Sequence, residues 1–294
     1  MKRIEYFAPT SLEEAIALLD QYGAQARPLA GGTDLLVKMR RKAIAPACLV
    51  NLKRIPGLRF IKYDAQAGLR IGALTVLNEV GKSAVVRDRF PMLAQTALQM
   101  ASVQVRNLAT IGGNLCNASP SADMAPPLMA LDARVKIVGK EGERVVLLED
   151  FFTGPGTTVL KPDEILIEIR VPNPPPHTVG CYVRHTTRRA MDIARVGAAV
   201  VLQVANPGSP GAKVCADVRV VLGAVAPTPL RARQAEAVLR GQELTEALLA
   251  KMGEAAAGEA QPIDDVRASA WYRREMVRVA TVRAARGALG LSSA

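Results

Sequence analysis

The sequence predicts an α+β protein of more than one domain, and three observations carry that reading. Its 294 residues exceed what one hydrophobic core usually organises. Apolar runs with strand character arrive in groups and do not alternate regularly with helices, so a doubly wound parallel sheet is not indicated. The stretch 172-PNPPPHT-178 is too dense in proline for a helix and favours an extended connector. The expected domains are residues 1–175, with lobes at about 1–56 and 57–175, and residues 176–294.

The elements follow in order. Ser11 and Glu14 have capping-box spacing, and Leu12, Ala15, Ile16 and Leu19 recur at helical intervals up to Gly23. The segment 27-RPLA-30 leads into a glycine pair, Thr33 or Asp34 is placed to cap a helix through Leu35, Leu36 and Met39, and 48-CLVNL-52 reads as a strand. Residues 58–64 and 69–74 resemble a hairpin, after which Thr75 is expected to cap a helix through Val76, Leu77 and Val80. A further helix runs from Pro91 to Ala101, a second glycine pair sits in the following loop, and strands are expected at 133–139, 144–148 and 164–171. Beyond the prolines come strands at 179–185, 196–205 and 213–225, with 206-NPGSPG-211 as a turn. Helices at about 228–240, 243–257 and 269–289 end the chain. Strands followed by helices indicate a smaller α+β domain with an antiparallel sheet.

Composition narrows the function. Hydrophobic residues at 49% and charged residues at 22% describe an ordinary globular protein. No apolar run approaches the roughly 18 residues of a membrane span, and MKRIEYFAPTSLEEA has no apolar signal region, so a cytoplasmic protein is expected. Cys48, Cys116, Cys181 and Cys215 are scattered, and His177 and His185 are the only histidines. A self-contained zinc or iron–sulfur site needs grouped ligands, so any metal belongs to a partner. The net charge of +11 lacks interleaved aromatics and any nucleic-acid-binding motif. Basic clusters such as 38-KMRRK-42 therefore read as solvated faces or docking surfaces.

The glycine pairs, 30-AGGTDLL-36 and 110-TIGGNLCNASPSAD-123, carry the chemistry. Glycine admits positive φ and close backbone approach, so amides can converge on an anion. Neither pair has Rossmann or P-loop spacing. What remains is a diphosphate held by two loops. In the second, small polar residues (Asn114, Asn117, Ser119, Ser121) precede Asp123, whose carboxylate suits a ribose diol. A loop built only of Asx and Ser turns is the alternative.

Together with 184-RHTTRRAMDIARVGAA-199 and 271-WYRREMVRVATVRA-284, these motifs resemble the FAD-binding medium subunit of molybdenum hydroxylases along essentially the whole chain. That family includes carbon monoxide dehydrogenase, nicotine and quinoline dehydrogenases and the flavin portion of xanthine dehydrogenase. The resemblance implies a two-lobed FAD-binding fold of the vanillyl-alcohol-oxidase type and a smaller α+β domain after it. It implies that Leu29, Ala30, Gly31, Gly32, Thr33, Asp34 and Leu35 line one side of the diphosphate, and Thr110, Gly112, Gly113 and Asn114 the other. Cys116 and Asn117 would face the adenosine half, Asp123 the ribose, and Ile165 or Leu166 a ring. Arg184 and Ile193 would lie near the isoalloxazine, where a cation stabilises anionic reduced flavin. Asp34 would repel phosphate directly, so its expected job is to cap the next helix. Asp192 is expected to hold a turn. One branch, similar to 4-hydroxybenzoyl-CoA reductase, adds a cluster in a cysteine-rich insertion after GGNLC; this chain has the GGNLC without the cysteines.

The implied function is electron transfer. A large molybdopterin subunit would oxidise substrate, [2Fe–2S] clusters of a small subunit would carry the electrons, and FAD here would pass them to NAD, oxygen, a quinone or a carrier. No residue of this chain need be an acid, base or nucleophile. The rivals are a self-contained flavin oxidase or dehydrogenase, which needs its own substrate pocket, and a nucleic-acid or assembly protein without flavin.

Overall fold

Ser11 starts the first helix as its spacing predicts. Its hydroxyl accepts from the Glu14 amide at 3.2 Å, and the Glu14 carboxylate reaches back to the Thr10 amide at 2.9 Å. Gly23, at φ 50°, ends the helix. A computed structural model describes residues 4–188, 190–205 and 213–291; the turn expected at 206–211 lies outside the described residues.

The first unit comprises β1 (Glu5–Phe7), α1 (Leu12–Tyr22), β2 (Ala26–Leu29), α2 (Leu35–Arg40) and β3 (Cys48–Asn51). Its sheet is parallel in the order β1-β3-β2, and β3 is buried along its length. Ala15, Leu19, Cys48 and Val50 form its core with Leu58, Leu74 and Ile165 of the next unit.

The second unit holds β4 (Ile61–Asp64), β5 (Gly68–Gly72), α3 (Leu77–Lys82), α4 (Ala84–Arg89), α5 (Pro91–Gln99), α6 (Val103–Arg106), α7 (Ile111–Cys116) and α8 (Ala125–Ala130). It continues through β6 (Arg134–Gly139), β7 (Gly142–Leu147), β8 (Phe152–Gly154), β9 (Thr157–Thr158) and β10 (Ile165–Val171). Its five-stranded antiparallel sheet runs β4-β5-β10-β6-β7, with Leu69, Ile71, Val135, Ile137 and Ile169 packed against Leu77, Leu93, Leu115 and Leu128 of the helices. Thr75 does not cap α3. Its buried hydroxyl donates to the Phe60 carbonyl at 2.9 Å and accepts the Phe60 amide at 3.1 Å, so it pins β4 to the turn after β5. The short helices α4, α6 and α8 carry too little periodicity to stand out in the sequence; α8 opens on Pro126 and Pro127, which a first helical turn tolerates.

The C-terminal unit is β11 (Thr178–His185), β12 (Val196–Val204), β13 (Cys215–Gly223), β14 (Leu230–Arg231), α9 (Arg233–Leu239), α10 (Glu246–Glu259) and α11 (Ala270–Ala288), its antiparallel sheet running β11-β12-β13-β14. Strand β12 explains why this segment reads as an unbroken apolar run. Val196, Ala198, Val200 and Leu202 face Val277, Ala280 and Ala284 of α11, whereas Ala199 and Val201 join the core of the second unit. Alternate residues are thus buried on opposite faces. No helix among the described residues is long and apolar enough to cross a membrane.

Candidate cofactor site

Strand β2 delivers the chain at Leu29 into the first glycine turn, and the two glycines serve different ends. Gly32 takes φ 76°, a conformation that a side chain strains. Gly31 has ordinary φ, but a Cβ there would collide with the Leu108 carbonyl, so this glycine lets the turn lie against residues 108–109. The Leu36 amide donates to the Gly32 carbonyl at 3.0 Å and begins α2. Among the described residues, the amides of Gly31, Gly32, Thr33 and Asp34 donate to no protein acceptor. Asp34 stands at the head of α2, but its side chain makes no capping bond. The expected cap is absent because the residue is in helical φ/ψ, with its carboxylate exposed.

The second pair is not in a loop. Thr110 caps α7, its hydroxyl accepting the Gly113 amide at 3.0 Å, and both glycines are helical. The remaining first-turn amides are taken: Ile111 donates to Thr75 at 3.0 Å, Gly112 to Ala73 at 2.9 Å and Asn114 to Thr110 at 3.0 Å. Gly112 is there for packing, since a Cβ would lie 2.7 Å from the Ala73 carbonyl oxygen. Free amides therefore come from the first turn only. The second contributes Asn114, whose buried Oδ1 has no hydrogen-bond partner. The turns meet: a Cβ on Gly113 would sit 3.9 Å from Ala30 Cβ, and Lys38 of α2 donates to Asn117 Oδ1 at 2.6 Å. Burial pushes the Cys116 thiol up to about 12, so it is no thiolate ligand.

From α7 the chain runs to Asp123, whose position is held by the Ala224 amide donating to the Pro120 carbonyl at 2.7 Å. Asp123 is buried, and Arg184 Nε lies 3.0 Å from both carboxylate oxygens. Tyr182 donates to Asp123 Oδ1 at 2.9 Å. Burial lifts this carboxyl above its usual range, while Arg184 and Tyr182 pull it back. Tyr182 escaped the sequence reading although the signal was present: two residues before Arg184 on a strand, it shares that residue's face. Opposite them, Gly197 pairs with Arg184 and Ala199 with Tyr182, and a Cβ on Gly197 would meet the tyrosine hydroxyl oxygen at 2.5 Å. The small residues of 197-GAA-199 make room for this pair.

Arg184 Nη2 also donates to the Asp192 carbonyl. The Asp192 carboxylate accepts the amides of Thr187 at 2.8 Å and Arg188 at 2.9 Å, the turn-holding role expected of it. Ile193, next in the chain, is 48% exposed. Ile165 and Leu166 start β10, buried on opposite faces of the sheet in the cores of the first and second units. The structure thus brings 30–34 against 110–117 and pairs Asp123 with Arg184. Its donor set suits a dinucleotide: unsatisfied amides for an anion and an orphaned acceptor for a hydroxyl or amine. Among the described residues, no group of three or more His, Cys, Asp or Glu could hold a metal.

Comparison with known proteins decides which dinucleotide. Residues 2–174 match the FAD binding domain in molybdopterin dehydrogenase, and residues 182–288 the CO dehydrogenase flavoprotein C-terminal domain. The chain belongs to this flavoprotein family. The flavoprotein is 36% identical to the carbon monoxide dehydrogenase medium chain of Hydrogenophaga pseudoflava over 93% of each chain. It is 32% identical to the putative xanthine dehydrogenase FAD-binding subunit of Escherichia coli K12, over 94% of this chain and 92% of that one. A solved carbon monoxide dehydrogenase from Hydrogenophaga pseudoflava superposes with TM-score 0.92 at 36% identity, covering 98% of both chains. Quinoline 2-oxidoreductase from Pseudomonas putida 86 gives 0.90 at 29% identity over 99% of both. The flavoprotein has the two-lobed FAD-binding fold with a C-terminal domain, binds FAD and is an oxidoreductase subunit of the molybdenum hydroxylase type.

Proposed function

We propose that this flavoprotein is the medium subunit of a complex in which a large molybdopterin subunit oxidises the substrate and a small subunit carries [2Fe–2S] clusters. Bound FAD supplies the redox chemistry, taking electrons from the clusters and giving them to an external acceptor such as NAD, oxygen, a quinone or a carrier. The observation that carries this reading is the seam between the two turns, with free amides on one side and the orphaned Asn114 Oδ1 on the other.

The residues take the following parts. The amides of Gly31, Gly32, Thr33 and Asp34 hold the diphosphate, with Leu29, Ala30 and Leu35 shaping that wall. Thr110 and Gly113 form the facing wall, Gly112 seats it against Ala73, and Asn114 orients the cofactor by accepting from it. Cys116 and Asn117 continue this wall. Asp123 keeps a ribose hydroxyl in place through lone pairs that Tyr182 and Arg184 leave open. Ile165 and Leu166 give apolar support beneath the rings, and Arg184 and Ile193 lie on the isoalloxazine side. No side chain here works as an acid or base; His185, a histidine near Arg184, is instead hydrogen-bonded to Tyr272 at 3.1 Å.

The experiment is to purify the chain from cells that make the complex, record its visible spectrum, and quantify released FAD, iron and molybdenum. The proposal expects one FAD per chain, with iron and molybdenum in the co-purifying subunits. A colourless chain that takes up no added FAD refutes it. Substrate turnover by the isolated chain would instead establish a self-contained oxidase.

A further inference from the structure

Helix α2 leaves the first glycine turn with an uncovered apolar end and an uncompensated run of cations. Leu36 is 48% exposed and Val37 38%, and Leu108, whose carbonyl lies against Gly31, is 55% exposed. Leu36 packs over Gly32, where a Cβ would lie 3.2 Å from its Cδ1, so Leu36 and Leu108 flank the same glycine pair. Single exposed apolar residues need no explanation, but three around one functional turn mark a contact surface. Charge gives it a sign. Between residues 34 and 42 stand Lys38, Arg40, Arg41 and Lys42 against one acid, Asp34. Lys38 is committed to Asn117, while Arg40, Arg41 and Lys42 are exposed and pair with no carboxylate among the described residues.

We infer that Leu36, Val37 and Leu108, bordered by Arg40, Arg41 and Lys42, form the surface on which the [2Fe–2S] subunit docks. This rests on the flavin-subunit reading above and extends it by naming the face through which electrons reach the cofactor. Two arguments select this occupant. The patch sits on the outer side of the turn assigned to the FAD diphosphate, so a partner seated there is brought next to the cofactor. A [2Fe–2S] centre ligated by thiolates carries net negative charge, and the uncompensated cations complement an acidic face around it. An apolar centre with a charged border is also the ordinary anatomy of a protein interface.

The test uses the tagged full-length chain purified from cells that make the complex, reading FAD per chain and iron per FAD. Leu36→Glu with Val37→Glu should lower iron per FAD at least tenfold while FAD per chain stays at the wild-type value. Arg40→Glu with Arg41→Glu, farther from the glycine turn, should keep FAD and lose iron, with the loss steepening as salt is raised. Wild-type iron per FAD in both variants overturns the surface and leaves the flavin assignment intact. So does a wild-type chain that retains FAD but carries no iron-bearing partner. Failure of the wild-type chain to hold FAD sinks the earlier reading instead. Should the leucine–valine variant lose FAD along with iron, the arginine pair decides.

Discussion

Arg184 Nε lies 3.0 Å from each oxygen of Asp123, and both side chains are more than nine-tenths buried. The sequence reading treated these residues as separate flavin contacts; they are first of all contacts of each other, joining the end of the GGNLCNASPSAD segment to β11. Removing one member strands a buried charge, which costs about 3 to 5 kcal/mol. Asp123→Asn and Arg184→Met should each lower stability by that order in urea unfolding at neutral pH. The double variant should lose clearly less than the sum. Additive losses would show that the pair is not coupled.

Tyr182 is the third member, and Gly197 sets its place. Tyr182→Phe removes one hydrogen bond to a charged acceptor and should cost about 1 to 3 kcal/mol. Gly197→Ala drives a methyl into the hydroxyl and should cost at least as much. Because both act on the same bond, Tyr182→Phe with Gly197→Ala should be little worse than Gly197→Ala alone. Melting temperatures of the three variants check this, and strict additivity would contradict it.

The glycines of the first turn separate binding from folding. Gly31→Ala pushes a methyl onto the Leu108 carbonyl, a backbone atom that cannot step aside cheaply, so FAD retention after gel filtration should fall at least tenfold. Gly113→Ala meets only the Thr110 hydroxyl, at 2.8 Å, and should lose less. Gly57, at φ 79° with nothing near its Cβ position, is the control: Gly57→Ala strains a turn without touching the site. Equal FAD loss in all three would mean that the turn assignment is wrong.

Much of this was legible from residue types alone, and the rest was not for physical reasons. Ser11, Glu14 and Gly23 punctuate α1 locally, so its ends could be read off the sequence. The TIGGN segment was misjudged as a loop because glycine weakens helix propensity; Thr110 capping and the packing of Gly112 on Ala73 override that preference. Asp34 and Thr75 fit cap statistics, yet Thr75 is drawn away by Phe60, a partner 15 residues distant in sequence. The motif residues of the site were recognisable, but that Asp123 faces Arg184 depends on how the C-terminal sheet packs on the second unit, which no local pattern encodes.

Acid should loosen the turn before α11 through Asp265. Burial works against the charge of this carboxylate, but the Arg267 amide, the Arg273 guanidinium and the Ala268 amide bring it from 3.8 down to about 2. Arg273 Nη2 approaches to 2.7 Å, out of line for a hydrogen bond, so this contact is an ion pair. A carboxyl lowered on folding adds stability that is complete above its unfolded value of 3.8 and is lost as pH falls toward about 2. Asp265→Asn keeps an acceptor for the two amides but leaves buried Arg273 without its counter-charge, a loss of about 1 to 3 kcal/mol. In urea unfolding of the two proteins, the wild-type advantage should be flat from neutral pH to about pH 4.5 and shrink below pH 4. An advantage that stays constant down to pH 3 would remove Asp265 from the acid response and leave the Arg273 contact without electrostatic weight.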